Sequence, residues 1–196
     1  EVYKVFAYIE RNNYLITEFI NNAGFGLHGD FATTDLTKEV EMINLNVIAL
    51  TIFTKKAMLN MKENQIKGRI LNVASVASCV AGPQMAVYYA TKSYVLSFTK
   101  AVNKEEENAV CPIVISCLLP GPTATNFANT AKLTGSKLFK IGVMSSHSVA
   151  KYAYYQLQND KTLIIPGLIN RINVKLLVHA PDLLTLNIVK RLHQKN

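Results

Sequence analysis

Three short apolar runs, each followed by small polar or glycine residues, constrain the fold of this chain most strongly. They are Phe19–Asn22 before Ala23-Gly24, Arg69–Ala74 before Ser75, and Ile113–Leu119 before Pro120-Gly121-Pro122. A nearly continuous hydrophobic run is typical of a parallel strand that is buried on both faces. The carboxyl ends of parallel strands meet at one edge of the sheet, where ligands usually bind in open α/β folds. The sequence therefore predicts a parallel sheet with a polar site at one edge.

Segments with helical patterns alternate with these runs. We predict strands near 15–21, 69–74, 113–119 and 162–165, and helices near 1–13, 37–64, 86–107 and 146–158, with more helix between 168 and 194. Thr34-Asp35 ahead of Glu39 supplies a start signal for the second helix. The alternation indicates an α/β protein whose parallel sheet is covered by helices on both faces.

The composition fits one domain and argues against several classes of protein. The 196 residues are 49% hydrophobic, which is enough for a single domain with its own core. The three cysteines have no framework spacing, which favours a reducing, cytoplasmic setting. We find no run of about twenty apolar residues and no signal-peptide pattern, so we expect neither a membrane-spanning nor a secreted chain.

The distribution of charged residues and of potential metal ligands argues against a nucleic-acid site and a metal site. The net charge is +8 and the pI is near 9.4, but lysine and arginine are spread along the chain without an aromatic-basic stripe. We therefore expect no nucleic-acid partner. The four histidines are dispersed, and no group of His, Cys, Asp and Glu has the spacing of metal ligands. We assign no metal.

Tyr88 and Lys92 lie four residues apart in a segment that is predicted to be helical. This spacing places both side chains on one face of the helix. A fixed cation beside a phenol favours the phenolate, so we expect Lys92 to lower the pKa of Tyr88 from its reference value of about 10. Such a tyrosine is a candidate general acid or base.

The chain resembles the short-chain dehydrogenase/reductase family in an ordered set of motifs. The set comprises the Asn21–Gly24 turn (N-N-A-G), Asn44, Ser75 thirteen residues before Tyr88, the Y-x-x-x-K pair, and Pro120-Gly121 with Thr125. It spans most of residues 15 to 130, and the closest likeness is to uncharacterised bacterial short-chain oxidoreductases. The resemblance implies a Rossmann-type, doubly wound parallel sheet. It also implies hydride transfer between a nicotinamide cofactor and a carbonyl or alcohol, such as an apolar ketone or acyl-type substrate.

The same resemblance implies roles for individual residues. Tyr88 would exchange a proton with the substrate oxygen, and Ser75 would hold that oxygen in place. Lys92 would assist Tyr88 and hydrogen-bond the nicotinamide ribose, while Asn44 would anchor a water that links Lys92 to solvent. The implied cofactor is NAD or NADP, with NADP favoured, and the residues that would bind it are Asn22, Ala23, Gly24, Tyr88, Lys92, Pro120, Gly121 and Thr125.

Two of these assignments have alternatives. Ser78 competes with Ser75, although its distance in sequence from Tyr88 does not match the family pattern. Asn44 is also compatible with an ordinary buried amide that hydrogen-bonds neighbouring backbone.

One family motif has no counterpart in this sequence. The glycine-rich turn G-x-x-x-G-x-G, which places a pyrophosphate at a helix N-terminus, does not occur. We therefore expect residues 1–196 to form one N-terminally truncated domain, the C-terminal portion of the fold without its first βαβα units. The alternative to an oxidoreductase is a non-catalytic family fragment that acts as a binding or scaffold element and cannot hold a dinucleotide.

Two surfaces are candidates for association. The helices near 37–64 and 86–107 correspond to the pair that family members commonly use in dimers, and small residues recur on the second of them at Ala90, Ser93, Ser97 and Ala101. We therefore expect a homodimer or homotetramer. Residues 168–195 form an amphipathic, basic C-terminal extension within the domain. Such a segment can lie on an anionic membrane, but capping of the substrate pocket or packing on a sister subunit is favoured here.

Overall fold

The computed structural model describes residues 2–139 and 142–194. The helices are α1 (Val2–Arg11), α2 (Leu36–Ile43), α3 (Leu50–Glu63), α4 (Ala86–Glu106), α5 (Phe127–Thr130), α6 (Ser146–Gln158), α7 (Leu168–His179) and α8 (Asp182–His193). The strands are β1 (Glu18–Asn21), β2 (Arg69–Val73), β3 (Val114–Leu118), β4 (Thr123–Ala124), β5 (Met144–Ser145) and β6 (Leu163–Ile164). A π-helical turn (Asn44–Ala49) joins α2 to α3, and 3₁₀ turns occupy Val76–Cys79 and Lys137–Phe139.

Four strands form one parallel sheet in the order β1-β2-β3-β6. In its register Phe19 pairs with Ile70, and Ile70 pairs with Ile115. This architecture confirms the predicted α/β class with a parallel sheet. The short strands β4 and β5 pair with each other outside this sheet. Two-residue strands carry no periodic pattern, so the sequence did not predict them.

The core lies on both faces of the sheet, because side chains alternate along each strand. On one face Ile70 and Ile115 pack with Ala57 and Met61 of α3. On the other face Leu71 packs in a separate cluster with α6, whose buried members are Val149, Ala153 and Leu157. The predicted covering of the sheet by helices on both faces is therefore confirmed.

The α2–α3 helix is long and positions part of the site. It begins at Asp35, whose carboxylate accepts a hydrogen bond of 2.8 Å from the backbone N–H of Thr37. By length and composition alone, Leu36–Glu63 meets the criterion for a membrane-crossing helix, although polar residues interrupt its apolar runs. A core helix meets the same criterion, and Met42, Leu50 and Met61 of this helix are buried in the protein.

The C-terminal extension consists of α7 and α8. They follow β6, which lies at the opposite edge of the sheet from β1. The break between them falls at Ala180-Pro181, where proline ends the helical hydrogen bonding. Of the predicted amphipathic segment 168–195, Lys195 lies outside the described residues.

Candidate active site

A cavity of about 540 Å³ lies at the carboxyl ends of β2 and β3. Most of the predicted site residues line this cavity: Asn22, Gly24, Ser75, Tyr88, Lys92, Pro120, Gly121 and Thr125. Ala23 belongs to the same turn after β1 but borders a smaller neighbouring hollow beside Leu45 and Phe53. The parallel sheet therefore brings together side chains that are up to about a hundred residues apart in sequence, as expected for the carboxyl edge of such a sheet.

Tyr88 lies in the first turn of α4, with its side chain buried against the cavity. Ser75 lies just beyond the end of β2 and lines the same cavity as Tyr88. The hydroxyl oxygen of Ser75 accepts a hydrogen bond of 3.1 Å from the backbone N–H of Ala77, which fixes its position at the start of a 3₁₀ turn. Burial raises the pKa of Tyr88 to about 12, and the nearby hydroxyl of Ser75 acts in the opposite direction.

Lys92 lies one helical turn beyond Tyr88 and is also buried. Its ammonium donates a hydrogen bond of 2.8 Å to the carbonyl oxygen of Val73 at the end of β2. It lies 5.9 Å from the centroid of the Tyr88 ring, so it faces the ring as well as the strand end. Burial lowers the pKa of Lys92 to about 8, because the charged form loses water.

The structure corrects the prediction that Lys92 lowers the pKa of Tyr88. The pKa of Tyr88 is raised, because the removal of water from the phenolate is the largest effect on it. Lys92 directs its ammonium to the Val73 carbonyl, and its shared helix face with Tyr88 yields a contact with the ring. Helical spacing correctly placed the two side chains together, but it did not determine where the ammonium points.

The structure also corrects the placement of Asn44, which is exposed and lies away from the cavity. Asn46, two residues later, is the buried amide. Its Nδ2 donates to the carbonyl oxygen of Phe25 (3.0 Å) and to Oγ1 of Thr91 (3.0 Å), and its Oδ1 accepts from the backbone N–H of Phe25 (3.2 Å). Asn46 thereby ties the turn after β1 to α4.

The burial pattern of the helix distinguishes the two asparagines. Four of its buried residues, Met42, Asn46, Leu50 and Thr54, recur in steps of four, which is the spacing of one helix face. Asn44 lies two residues away from this series and therefore on another face. The family motif pointed to Asn44, but Asn46 is the asparagine on the buried face.

Glycine is required at position 24 because the Asn46 amide and the Lys92 ammonium lie close to its backbone. A Cβ at this position would lie 2.9 Å from Oδ1 of Asn46 and 3.3 Å from Nζ of Lys92. Any larger residue would therefore displace the amide or the ammonium. The predicted role of the N-N-A-G turn thus includes a packing requirement beside the cavity.

The two candidate serines have different surroundings. The hydroxyl of Ser75 faces Tyr88, whereas Oγ of Ser78 donates to the backbone carbonyl of Ser75 and Ser78 does not line the cavity. The carbonyl oxygen of Ser78 in turn accepts a hydrogen bond of 3.0 Å from Ser93. The geometry therefore places Ser75 at the site and gives Ser78 a part in holding the turn.

The rest of the cavity is mostly apolar. Its wall includes Phe25, Met85, Phe127, Leu133, Phe139 and Val149. The rings of Tyr88 and Phe127 have centroids 5.3 Å apart, so the phenol meets this wall directly. Among the lining residues in the described part of the chain, Lys92 is the one with a charged side chain.

A contact that the sequence analysis did not predict closes one side of the cavity. The hydroxyl of Tyr89 lies 3.0 Å from Nε2 of His193, and Nδ1 of His193 lies 2.8 Å from the carbonyl oxygen of Pro83. Since a carbonyl only accepts, Nδ1 carries the proton and Nε2 accepts from Tyr89. Burial lowers the pKa of His193, which keeps this imidazole neutral. Sequence spacing gave no signal for a contact between residues this far apart in the chain.

The residues present fit the nicotinamide and ribose end of the cofactor that the resemblance implies. The buried ammonium of Lys92 donates a hydrogen bond to the Val73 carbonyl. Within residues 2–139 and 142–194 it forms no ion pair. An ammonium has three donors, so it has capacity for the hydroxyl oxygens of a ribose. No residue of the chain is assigned to the pyrophosphate or the adenine.

Comparisons with known proteins agree with this geometry. The family model of the short chain dehydrogenases matches residues 1–134. Dehydrogenase/reductase SDR family member 11 of Mus musculus is 34% identical over 112 residues, which cover 56% of this chain and 43% of that protein. Farnesol dehydrogenase of Aedes aegypti is 25% identical over 160 residues, which cover 80% of this chain and 64% of that protein.

A solved structure is also similar. The short-chain dehydrogenase from Sphingobium yanoikuyae in complex with NADPH has 25% sequence identity and a TM-score of 0.71, with 82% of this chain and 61% of that chain covered. The present chain spans about half the length of the curated relatives that it matches.

Proposed function

Because the chain belongs to the short-chain dehydrogenase family, we propose that it carries the catalytic residues of an oxidoreductase that interconverts a carbonyl and an alcohol. The observation that supports this proposal most strongly is that Ser75, Tyr88 and Lys92 meet on the wall of one largely apolar cavity, with Tyr88 and Lys92 buried one helical turn apart. A nicotinamide dinucleotide, NAD or NADP, supplies or accepts the hydride when bound.

Tyr88 acts as the general acid in the reducing direction. Its raised pKa keeps the phenol protonated near neutral pH, so the hydroxyl has a proton to give to the substrate oxygen. Ser75 hydrogen-bonds the same oxygen and stabilises the charge that develops on it. In the oxidising direction Tyr88 must first lose its proton, so this direction is favoured at higher pH.

Lys92 and Asn46 support this chemistry by position. Lys92 binds the nicotinamide ribose, and its positive charge stabilises the negative charge that develops on the Tyr88 oxygen during proton transfer. Asn46 holds the turn at Gly24 against α4 through the backbone of Phe25, which keeps the cofactor edge of the cavity in place. Pro120, Gly121 and Thr125 hold the nicotinamide end.

The substrate is an uncharged, apolar ketone or acyl-type compound. The wall that includes Phe127, Leu133 and Phe139 offers hydrophobic contact and no carboxylate or guanidinium to recognise a charged substrate. The similarity to farnesol dehydrogenase, whose name denotes an apolar alcohol, supports this choice.

The cellular setting and the assembly are further parts of the proposal. The three cysteines are all free, in agreement with a reducing, cytoplasmic compartment. A homodimer or homotetramer would use the exposed small residues of α4, among them Ala90, Ser97 and Ala101. Ser97→Arg should then produce monomers in light scattering, whereas an unchanged mass would exclude this helix face as the interface.

The activity is tested by following hydride directly. The protein is incubated with NADH or NADPH deuterated at the transferred position and a panel of aliphatic and cyclic ketones, and the alcohols are analysed by mass spectrometry. We expect deuterium in the product of at least one apolar ketone and a large loss of it in Tyr88→Phe. Deuterium transfer that is insensitive to Tyr88→Phe would refute the assigned acid. A protein that binds neither cofactor and transfers no deuterium to any ketone would favour the scaffold alternative.

A further inference from the structure

The two C-terminal helices expose most of their large apolar side chains. On α7, Leu168, Ile169 and Leu176 are 70%, 63% and 65% exposed. On α8, Leu183 and Leu184 are 75% and 53% exposed. Ile172, Val178, Ile188 and Leu192 are exposed as well. Single exposed leucines are ordinary, but a concentration of this kind on two consecutive helices marks an interaction surface.

No leucine of these helices is fully buried, and Leu177 and Leu186 are only half-buried. The buried residues of α7 are Asn170 and Val174, and those of α8 are Thr185, Val189 and His193, in steps of four. Amphipathic helices ordinarily turn their leucines to the core. Of the two expected roles, capping of the cavity and packing on a sister subunit, capping therefore accounts for Val189 and His193 but not for the exposed leucines.

Basic side chains accompany the exposed apolar residues. Lys175, Lys190 and Arg191 are exposed, whereas the guanidinium of Arg171 hydrogen-bonds the Ile165 carbonyl and the Tyr152 hydroxyl. Asp182 is the one acidic residue in the segment 168–194. A second copy of the chain would bring the same positive charge to the contact, which disfavours self-association through these helices. An anionic lipid surface is complementary both to the positive charge and to the apolar side chains.

We propose that α7 and α8 dock the protein on an anionic bilayer, with the helices lying in the plane of the interface. The apolar side chains enter the boundary between headgroups and acyl chains, and the basic side chains contact lipid phosphates. This inference goes beyond the proposed oxidoreductase function and does not depend on it.

The docking surface also adjoins the cavity. The 3₁₀ turn Lys137–Phe139 packs against α8, and Leu138 and Phe139 line the cavity. His193 of α8 contacts Tyr89, the neighbour of Tyr88. If the proposed function holds, an apolar substrate dissolved in the bilayer meets the cavity wall on this side.

The test is flotation of the protein with lipid vesicles in a density gradient, which separates bound protein from aggregates that sediment. Vesicles of phosphatidylcholine alone are compared with vesicles of equal parts phosphatidylcholine and phosphatidylglycerol. We expect flotation with the anionic vesicles, a loss of flotation in high salt, and little flotation with phosphatidylcholine alone.

Three variants locate the contact. The double variant Leu176→Ser, Leu184→Ser should abolish flotation. The triple variant Lys175→Gln, Lys190→Gln, Arg191→Gln should lower the affinity for the anionic vesicles by about fivefold for each charge removed. The matched control is Leu36→Ser, at an apolar residue that is 72% exposed on α2, and it should float as the original protein does. All variants are first checked for folding by circular dichroism.

Several results would overturn the proposal. They are an absence of flotation, equal flotation on neutral and anionic vesicles, or an equal loss in Leu36→Ser, which would place the contact on the α2–α3 helix. Light scattering without vesicles supplies a further check. If the Leu176→Ser, Leu184→Ser variant lowers the molecular mass of an oligomer, a second copy of the chain covers these helices.

Discussion

Two regions of this protein reverse the usual distribution of polar and apolar groups, and they do so in opposite senses. At the start of α4, Tyr88 and Lys92 are buried. Burial raises the pKa of Tyr88 and lowers the pKa of Lys92, so it favours the neutral form of each side chain. On α7 and α8, leucines and isoleucines are exposed while Thr185 and His193 are buried.

Neither arrangement is the one that stability alone favours. Burying a lone ammonium is unfavourable, and leaving leucines in water forgoes the free energy of their burial. The difference lies in how each region is tied to the rest of the fold. The α4 cluster is held by strand ends and by Asn46, whereas α7 and α8 touch the protein along narrow stripes. The buried cluster therefore fits chemistry that needs fixed positions, and the exposed helices fit binding to a partner surface.

The largest effect should come from removing the acid of the buried cluster. Tyr88→Phe keeps the ring but removes the hydroxyl that donates the proton, so turnover should fall by about a hundredfold to ten-thousandfold. Cofactor affinity should change little. Steady-state kinetics on a verified ketone provides the measurement. Tyr94→Phe on the exposed side of the same helix is the control, since its hydroxyl contacts Thr51 at the surface. Equal rates for Tyr88→Phe and Tyr94→Phe would remove Tyr88 from the mechanism.

The next effect separates two serines of the same turn. Ser75→Ala should lose about 3 kcal/mol of transition-state stabilisation, as expected for one donor to a developing oxyanion. Ser78→Ala should leave turnover within about threefold, although the lost hydrogen bond to the Ser75 carbonyl should lower stability by about 1 kcal/mol. Kinetics and urea unfolding are measured on both variants. The reverse ranking in turnover would show that Ser78 reaches the substrate.

A smaller effect concerns the two asparagines. Asn46→Ala removes three hydrogen bonds and leaves backbone groups of Phe25 without their partner, so the free energy of unfolding should fall by about 2 kcal/mol. Asn44→Ala changes an exposed helical position and should stay within about 0.5 kcal/mol of the original protein. Urea unfolding compares them. A larger loss in Asn44→Ala would contradict the corrected assignment.

The smallest effect tests the cost of burying Lys92. Burial lowers the pKa of Lys92 from 10.5 to about 8, which corresponds to a cost of roughly 3 kcal/mol in the free energy of unfolding at neutral pH. Replacing Lys92 removes this cost but also removes the hydrogen bond to the Val73 carbonyl, so the net gain is smaller. Lys92→Met should therefore gain about 1 kcal/mol in the free energy of unfolding at pH 7 while losing activity.

The pH dependence gives this prediction its sign. Between pH 8 and 10.5 the unfolded chain binds more protons at Lys92 than the folded chain, so the contribution of this residue to stability rises with pH in that window. The advantage of Lys92→Met should shrink there and be largest below pH 8. Lys100→Met, at an exposed lysine of α4, is the control. An advantage for Lys92→Met that is constant with pH would mean that Lys92 is not buried as a charge.

The sequence by itself determined the elements of the main sheet, the helices and the edge at which the site lies. These features depend on local patterns: continuous apolar runs for β2 and β3, helical periods for α3 and α4, and polar or glycine residues at strand ends. The spacing of Tyr88 and Lys92 on one helix is also local, as is their distance from Ser75, and the structure brings these three residues to one cavity.

Only the tertiary structure decided the properties that depend on surroundings. The pKa of Tyr88 rises because strands, helices and the Phe127 ring together exclude water, and no spacing within α4 encodes that exclusion. The contact of Tyr89 with His193 joins distant parts of the chain, and the exposure of Leu176 and Leu184 depends on which stripe of each helix meets the protein. An amphipathic pattern specifies that a helix has an apolar face, but long-range packing specifies whether that face is buried, because many orientations satisfy the same local pattern.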